Sequence, residues 1–197
     1  MNLPAPPPAM LLAVMFVGEA FLMRSRMSGD ASRQVDRGSL RLLYITIAAS
    51  VGLAWLAARV LPQARLDAWF GLDPTAMRCV YGTGLGLFAA GLGLRWYSIA
   101  WLGRLFTYDV AIAADHRVID SGPYRFVRHP AYTGSLLSFV GLGLCGGNAA
   151  SLLVLVAPIA LAFRHRIVIE EAALESALGS RYGDYAARTR RLIPFVY

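Results

Sequence analysis

Lysine is missing from this chain of 197 residues, and charged residues of all kinds make up only 16% of it. All 19 basic side chains are arginines, which excludes chemistry that needs a Schiff-base lysine. Soluble domains contain about 25% charged residues. Together with 57% hydrophobic residues and a mean hydropathy of +0.51, this composition excludes a disordered chain, a coiled coil and an ordinary soluble globule. A membrane protein is the class that remains.

Cysteine is scarce as well, because Cys79 and Cys145 are the only two. They can form neither a disulfide framework nor a four-cysteine metal site, and the sequence predicts apolar helix positions for both. His116, His129 and His165 lack paired ligand spacing, so no metal site is predicted. A P-loop, a G-x-G-x-x-G turn at a strand–helix junction and a G-x-S-x-G motif are also missing. The sequence therefore gives no support to P-loop, dinucleotide-fingerprint or Ser-His-Asp chemistry.

Hydrophobic runs predict about five transmembrane helices, so the expected fold class is all-α, a polytopic membrane helix bundle. The first run has no basic segment before it and no small-residue cleavage site after it, which favours a retained helix over a signal peptide. Pro4, Pro6, Pro7 and Pro8 are expected to keep the first residues extended. The predicted spans cover approximately 10–23, 42–61, 77–102, 130–145 and 149–163.

Turn residues separate these spans. Pro62 is expected to end the second helix. Gly146, Gly147 and Asn148 predict a tight turn, which makes the last two spans an antiparallel hairpin. Glycines in the third span are expected to let neighbouring helices approach closely. They are Gly82, Gly84, Gly86, Gly91 and Gly93.

Arginines predict the orientation of the bundle. The connections at 24–41 and 103–131 hold five and four arginines, the tail from Arg164 holds six, and the remaining connections hold three. The positive-inside rule then places the N-terminus outside and the C-terminus in the cytoplasm. The net charge of +7 is therefore attributed to topology and to anionic lipid headgroups, and no nucleic-acid partner is predicted.

Polar residues concentrate in two segments on the predicted cytoplasmic side, one before the fourth span and one after the fifth. Pro130 suits the first position of the fourth helix, whose unpaired backbone N–H groups and dipole would bind a carboxylate or a phosphate. Arg128 would add charge-assisted hydrogen bonds, and Tyr124 and Tyr132 offer flat faces for a heterocycle. The alternative interpretation is that the arginines contact lipid headgroups and that Tyr124 belongs to an interfacial aromatic belt.

Charged residues also follow directly on the fifth span. Arg166 and Glu170 share a helical face, and Glu171 lies about 100° further round the helix. A solvated helix end with a weak ion pair would explain this pattern, but ionisable groups near membrane depth usually face a cavity or a partner. Arg95 lies within the third span, and it either extends to the membrane surface or faces the same site.

These motifs together resemble the isoprenylcysteine carboxyl methyltransferase family of integral membrane enzymes. Three patterns occur in order: H-x-V-x-x-S-G-P-Y from His116, R-H-P-x-Y-x-G from Arg128 and R-x-x-x-E-E-x-x-L from Arg166. The resemblance covers roughly the C-terminal half, including Tyr182-Gly-Asp-Tyr185 and Arg191-Leu-Ile-Pro-Phe195. It implies methyl transfer from S-adenosylmethionine at the cytoplasmic membrane face, in a pocket formed by the 103–131 connection and the C-terminal helices.

The same resemblance implies the site residues. Glu170 resembles the cofactor-binding glutamate of the family, and Arg166 resembles the arginine that faces the methyl acceptor. With Arg95, these are the predicted catalytic residues. Asp109 stands where relatives have a polar cofactor contact of another residue type. The predicted cofactor contacts are Asp109, His116, Arg117, Val118, Ile119, Tyr124, Arg128, His129, Pro130, Ala131, Tyr132, Glu170 and Glu171.

The acceptor is expected to be lipophilic, because the route between membrane helices admits it from the bilayer. A prenylcysteine-like carboxylate needs no general base, whereas a phenol, thiol or amine would need one, and Asp109, Glu171 and His129 are the candidates. A small lipid or aromatic acceptor is the other possibility. The sequence leaves the number of subunits open.

One membrane domain is expected over 1–197, with two variable spans in 1–76 and the catalytic core in 77–197. A short chain with arginine as its only basic residue is typical of a bacterial protein, which points to the inner cell membrane. Two alternatives to the methyltransferase are an NADPH-dependent reductase of the sterol type, which shares an R-H-P-x-Y-like segment, and a scaffold without enzymatic activity.

Overall fold

The computed structural model describes residues 6–26, 34–36, 38–108, 110–111 and 117–194. This part of the chain is nearly all helical, which confirms the predicted fold class. One addition to it is a short antiparallel pair of strands. The elements are α1 (Pro8–Arg26), β1 (Gln34–Asp36), α2 (Gly38–Val60), α3 (Leu66–Phe70), α4 (Pro74–Leu102), β2 (Val110–Ala111), α5 (Pro130–Cys145), α6 (Ala149–Leu178) and α7 (Ser180–Arg188), with 3₁₀ turns at Pro62–Ala64, Gly103–Leu105 and Gly122–Arg125.

Three helical stretches are long and apolar enough to cross a membrane: α2, Pro74–Leu105 and α6. The apolar helix α5 has only 16 residues, and α1 carries Glu19, Arg24 and Arg26 along its 19 residues. The chain is therefore an integral membrane protein, and the predicted count of five spans is approximate. Helix α6 continues past the predicted apolar span at 149–163 and includes Arg166, Glu170 and Glu171, which were predicted to lie on a helix.

Helices α4 and α5 pack closely at two pairs of glycines. A Cβ atom on Gly91 would lie 2.5 Å from the carbonyl oxygen of Gly134, and one on Gly134 would lie 2.5 Å from that of Gly91. Gly84 and Gly141 form the same reciprocal contact two helical turns away. The predicted role of the third-span glycines is thus confirmed for two of them. A Cβ atom would meet nothing within 4 Å at Gly82, Gly86 and Gly93.

Adding one methyl group at this contact should separate the two helices. In Gly141→Ala the new Cβ atom would lie 2.4 Å from the backbone oxygen of Gly84 and 2.4 Å from the backbone nitrogen of Phe88. We expect a loss of about 1–3 kcal/mol of stability, measured as a lower thermal midpoint of the detergent-purified protein. Gly86→Ala, in open space, is the matched control. Equal midpoints for the two variants would contradict the close contact.

The turn between α5 and α6 agrees with its prediction. Gly147 has a φ of +64°, and the side-chain oxygen of Asn148 accepts from the backbone N–H of Ser151 at 2.9 Å. The Asn148 amide donates to the carbonyl of Leu61 at 3.0 Å, just before the proline that ends α2. Pro8 differs from its prediction: it is the first residue of α1, a position that tolerates proline. Pro4 lies outside the described residues.

The end of the described chain returns to the start of α5. The backbone N–H of Arg128 donates to the carbonyl of Arg190 at 2.7 Å, and that of His129 donates to Arg191 at 3.0 Å. The hydroxyl of Thr133 donates to the carbonyl of Leu192 at 2.8 Å. These bonds hold α7 and the segment after it against the beginning of α5.

Candidate active site

A first cavity opens where the α4–α5 connection meets α6 and α7. Its space is about 750 Å³, including the part open to solvent, and ligand sites commonly occupy about 300–1,000 Å³. Half of its lining residues are ones that the sequence predicted. These are Arg117, Val118, Ile119, Tyr124, Arg128, His129, Arg166 and Glu170, and the others are Leu102, Leu105, Phe106, Thr107, Leu174, Leu178, Tyr182 and Tyr185.

A second cavity lies deeper in the bundle, between α1, α2, α4, α5 and α6, and we call it the inner chamber. Its walls are mainly apolar. It shares Phe106, Thr107 and Arg166 with the first cavity, so the two spaces meet at these residues. The remaining lining residues are Met15, Phe16, Glu19, Leu40, Leu43, Tyr44, Ile47, Leu92, Arg95, Tyr108, Tyr132, Ser135, Phe139 and Phe163.

Arg166 is buried on α6 and is held by three other parts of the chain. Its Nε donates to the Tyr132 hydroxyl at 2.9 Å, and its Nη1 donates to the Ser39 hydroxyl at 2.9 Å. Its Nη2 donates to the backbone carbonyl of Tyr108. Contacts from α5, α2 and the α4–α5 connection therefore fix the guanidinium where the two cavities meet.

Glu170 and Glu171 are neighbours in sequence but contact different parts of the structure. Glu170 lines the first cavity and accepts a hydrogen bond from the Tyr132 hydroxyl at 2.9 Å. Glu171 contacts Arg128 at 2.8 Å, His129 at 3.1 Å and Arg191 at 2.7 Å. The turn of about 100° between consecutive helix positions causes this division. Glu171, predicted as a cofactor contact, is thus engaged by three basic side chains of the protein itself.

The prediction that the first backbone N–H groups after Pro130 are unpaired is wrong in part. The backbone N–H groups of Tyr132 and Thr133 both donate to the carbonyl of His129 at 3.0 Å, so a tight first turn satisfies them. Pro130 and Ala131 are buried, and the residue of this turn that lines the first cavity is His129. Its ring stacks on that of Tyr132, with centroids 5.7 Å apart.

Arg128 makes protein contacts rather than the headgroup contacts considered in the alternative interpretation. Besides Glu171, it donates to the carbonyls of Ala186 at 2.9 Å and Thr189 at 2.6 Å. It therefore joins the start of α5 to the end of α7 while its side chain borders the first cavity.

Arg95 faces the interior of the bundle, which was one of the two alternatives predicted for it, and does not extend to the membrane surface. It is 8% exposed and lines the inner chamber. Its Nε and Nη2 donate to the two carboxylate oxygens of Glu19, each at 2.5 Å. Tyr132 also lines this chamber rather than the first cavity. Asp109 and His116 lie outside the described residues.

Three tyrosines form one wall of the first cavity. The Tyr124 hydroxyl donates to the carbonyl of Ser98 at 3.3 Å, and the Tyr185 hydroxyl donates to the carbonyl of Tyr124 at 2.8 Å. The Tyr182 hydroxyl is buried and has no hydrogen-bond partner in the described part of the chain. Burial raises the pKa of Tyr124 and Tyr182 above the usual range, so both remain neutral donors.

The sequence could have indicated some of the lining residues that it missed. Tyr182 and Tyr185 stand three apart on an amphipathic helix, which places them on one face. Leu174 and Leu178 continue the face of Glu170 at intervals of four residues, which is the normal helical spacing. Phe106 has no such signal, because its position depends on how the α4–α5 connection folds.

A metal ion has no evident place in the described residues, which contain no group of three or more His, Cys, Asp or Glu side chains that could hold one. Both cysteines are free, Cys145 buried and Cys79 exposed. The candidate site is a polar cavity joined to an apolar one.

Comparison with known proteins is consistent with this arrangement. A sequence model of the phospholipid methyltransferase family matches residues 79–181, from α4 into α7. Protein-S-isoprenylcysteine O-methyltransferase B of Arabidopsis thaliana is 33% identical over 115 residues, 57% of this chain and 58% of that protein. A probable protein-S-isoprenylcysteine O-methyltransferase of Oryza sativa is 27% identical over 187 residues, 93% of this chain and 92% of that protein.

The fold has a solved counterpart. The eukaryotic intramembrane Ras methyltransferase ICMT superposes with a TM-score of 0.66 over 98% of this chain and 70% of that one, at 23% identity. These relatives carry methyltransferase names, which gives no support to a reductase or a scaffold. The family match covers the residues that line the first cavity except Tyr182 and Tyr185, which lie just after it. The chain therefore belongs to the phospholipid methyltransferase family of integral membrane methyltransferases, and its resemblance to isoprenylcysteine carboxyl methyltransferases is confirmed.

Proposed function

We propose that this protein transfers the methyl group of S-adenosylmethionine to the carboxylate of a lipophilic, prenylcysteine-like acceptor. The observation that carries the proposal is the junction of the two cavities at Arg166. A polar cavity at the end of the bundle suits the cofactor, and an apolar chamber among the helices suits the lipid part of an acceptor. The arginine distribution supports a location of this junction toward the cytoplasmic face, and we infer a bacterial inner membrane.

The donors and acceptors of the first cavity fit the proposed cofactor. Glu170 offers a carboxylate to an ammonium group or to ribose hydroxyls. Tyr182 offers a buried hydroxyl whose partner would be a polar atom of the ligand. The rings of Tyr124 and Tyr185 border the same space and provide apolar contact for a heterocycle. Arg117, Val118, Ile119 and His129 complete the proposed contacts, together with Asp109 and His116 from the sequence.

Arg166 is the residue that would bind the acceptor carboxylate. Bound S-adenosylmethionine would supply an electrophilic methyl group, and an ionised carboxylate acceptor would have no proton to release. The protein therefore needs no general base for this acceptor. Its work is to align the carboxylate, which Arg166 does from a fixed position, and to exclude water, which the apolar chamber does.

Membrane access to the inner chamber is consistent with the surface of α1 and α2. Both helices contribute to the chamber walls and expose large apolar side chains on their outer faces, such as Phe21 at 75% and Trp55 at 61%. Such faces are suited to acyl chains rather than water. An acceptor with a long hydrocarbon tail can therefore approach from the bilayer while its carboxylate reaches Arg166.

Calorimetric binding tests the cofactor directly. S-adenosylhomocysteine should bind the detergent-purified protein saturably, and NADPH, as the comparator, should not. Binding of NADPH alone would replace the proposal with a reductase. Binding of neither compound would refute the cofactor assignment.

Arg166→Lys tests the acceptor side. Lysine keeps the charge but cannot reproduce the fork of donors that reaches Tyr132, Ser39 and the Tyr108 carbonyl. We expect transfer to a prenylcysteine to fall about tenfold or more, the effect of one lost charged hydrogen bond. Binding of S-adenosylhomocysteine should stay within about twofold. Arg164→Lys, an exposed position on the same helix, is the control. Unchanged transfer in Arg166→Lys would remove this residue from the reaction.

A further inference from the structure

Tyr108 is anchored at both of its ends. The residue is 4% exposed and lies in the connection that follows α4. Its backbone carbonyl accepts a hydrogen bond from Nη2 of Arg166. Its hydroxyl donates to Oε2 of Glu19 at 2.9 Å. One residue thus connects the arginine at the cavity junction with a carboxylate on the first helix.

The carboxylate at the far end is itself fixed. Glu19 on α1 and Arg95 on α4 form a two-bond ion pair with both distances at 2.5 Å, and their side chains are 15% and 10% exposed. The Arg95 guanidinium carbon lies 5.9 Å from the centre of the Tyr108 ring. Fixed charges in apolar surroundings hold a neutral hydroxyl donor more strongly than water-exposed charges do. Burial raises the pKa of Tyr108, which keeps this hydroxyl protonated.

Tyr108 supports Arg166 differently from the other two partners. Tyr132 and Ser39 accept from the guanidinium through side-chain hydroxyls, whereas Tyr108 accepts through its backbone carbonyl. The Tyr108 carbonyl belongs to the backbone of a connecting segment, and its position depends on what holds that segment. If Glu19 and Arg95 only neutralised each other within the membrane, their ion pair would need no third residue. The Tyr108 hydroxyl extends the pair toward Arg166.

We propose that Arg95, Glu19 and Tyr108 form a positioning relay that sets the orientation of Arg166 toward the acceptor. The proposal rests on the function proposed above for Arg166. It assigns a role in the reaction to α1, which lies outside the segment matched by the family model. None of the three relay residues lines the first cavity, so they contact the acceptor side directly and reach the cofactor side only through Arg166.

Tyr108→Phe is the primary test, because it removes the hydroxyl and keeps the ring and the backbone carbonyl. With N-acetyl-S-farnesylcysteine as the probe acceptor, we expect kcat to fall about tenfold, as for one lost hydrogen bond to a charged group. The dissociation constant of S-adenosylhomocysteine should change by less than about twofold. Tyr97→Phe, a half-exposed tyrosine on α4, is the matched control.

A readout without substrate keeps the test independent of the probe. The ¹⁵N–¹H resonance of Arg166 Nε, assigned by its loss in Arg166→Lys, should shift in Tyr108→Phe and stay in place in Tyr97→Phe. Glu19→Gln should move the same resonance. The double variant of Glu19→Gln and Tyr108→Phe should add little to Tyr108→Phe, because both break one chain of contacts.

The outcomes separate the two proposals. A purely structural role would lower the thermal midpoint of Tyr108→Phe without moving kcat per folded molecule or the Arg166 resonance, and this result would overturn the relay. An unmoved resonance with normal S-adenosylhomocysteine binding would overturn the relay and leave the proposed function standing. Failure of the wild-type protein to bind S-adenosylhomocysteine would overturn both.

Discussion

Glu170→Gln should weaken binding of S-adenosylhomocysteine by about 100-fold, since removal of one charged member of a buried hydrogen-bonded pair typically costs about 2–5 kcal/mol. Glutamine has the same shape and can still accept from the Tyr132 hydroxyl, which Glu170 contacts at 2.9 Å. What the variant loses is the negative charge offered to the ammonium group or ribose hydroxyls of the ligand. Methyl transfer should fall in parallel at cofactor concentrations that saturate the wild-type protein.

Calorimetry of the variant, followed by transfer assays over a range of cofactor concentrations, checks this expectation. Glu175→Gln is the matched control, because Glu175 lies on the same helix and is exposed. The control should bind like the wild-type protein. If Glu170→Gln bound S-adenosylhomocysteine normally, the carboxylate would not be a cofactor contact, and the first cavity would need another occupant.

Glu171→Ala should lower the stability of the protein rather than the rate of methyl transfer by the folded molecules. Its side chain is 12% exposed and accepts from Arg128, His129 and Arg191, which come from the start of α5 and from the returning C-terminal segment. Removing the carboxylate leaves these basic groups together without their anion. Breaking a buried pair in this way costs about 3–5 kcal/mol. For a chain of this size, that corresponds to a thermal midpoint lower by about 10 °C.

Thermal unfolding of the purified protein measures the effect, with Glu175→Ala as the control on the exposed side of α6. The control should have the same thermal midpoint as the wild-type protein. Binding of S-adenosylhomocysteine by the fraction that remains folded should be close to normal, because Glu171 does not line the first cavity. A stable Glu171→Ala protein that fails to bind the ligand would reverse this assignment and restore the role that the sequence predicted.

The sequence predicted α5 and the turn after it accurately because strong local signals stand at both ends. Pro130 fits the first position of a helix, and the pair Gly146 and Gly147 is a strong signal for a turn after it. The predicted helical register of Arg166, Glu170 and Glu171 agrees with α6, but hydrophobicity reports the end of a membrane span and so gave no end for the helix itself. The sequence predicted that glycines of the third span would allow close helix packing. Which of them make the contact depends on where the neighbouring helix lies.

The candidate site was predicted in part for a related reason. Motif resemblance identified Glu170 and Arg166, both of which line the first cavity. It also assigned Glu171 to the cofactor, whereas in the structure Glu171 does not line the first cavity and contacts three basic side chains. The partnership of Glu19 with Arg95 joins residues 76 positions apart in the chain. No local pattern carries such a contact, so only the folded structure could reveal it.

The short length of α5 has a consequence for the depth of the first cavity. Sixteen residues of helix rise about 24 Å, whereas the hydrocarbon core of a bilayer is about 30 Å thick. No residue of α5 is exposed, so the neighbouring helices and the connecting segments, rather than lipid, surround it. The end of α5 next to the first cavity then lies deeper than the end of a full-length span would. A lipid-anchored carboxylate can reach that depth with little of its tail leaving the bilayer.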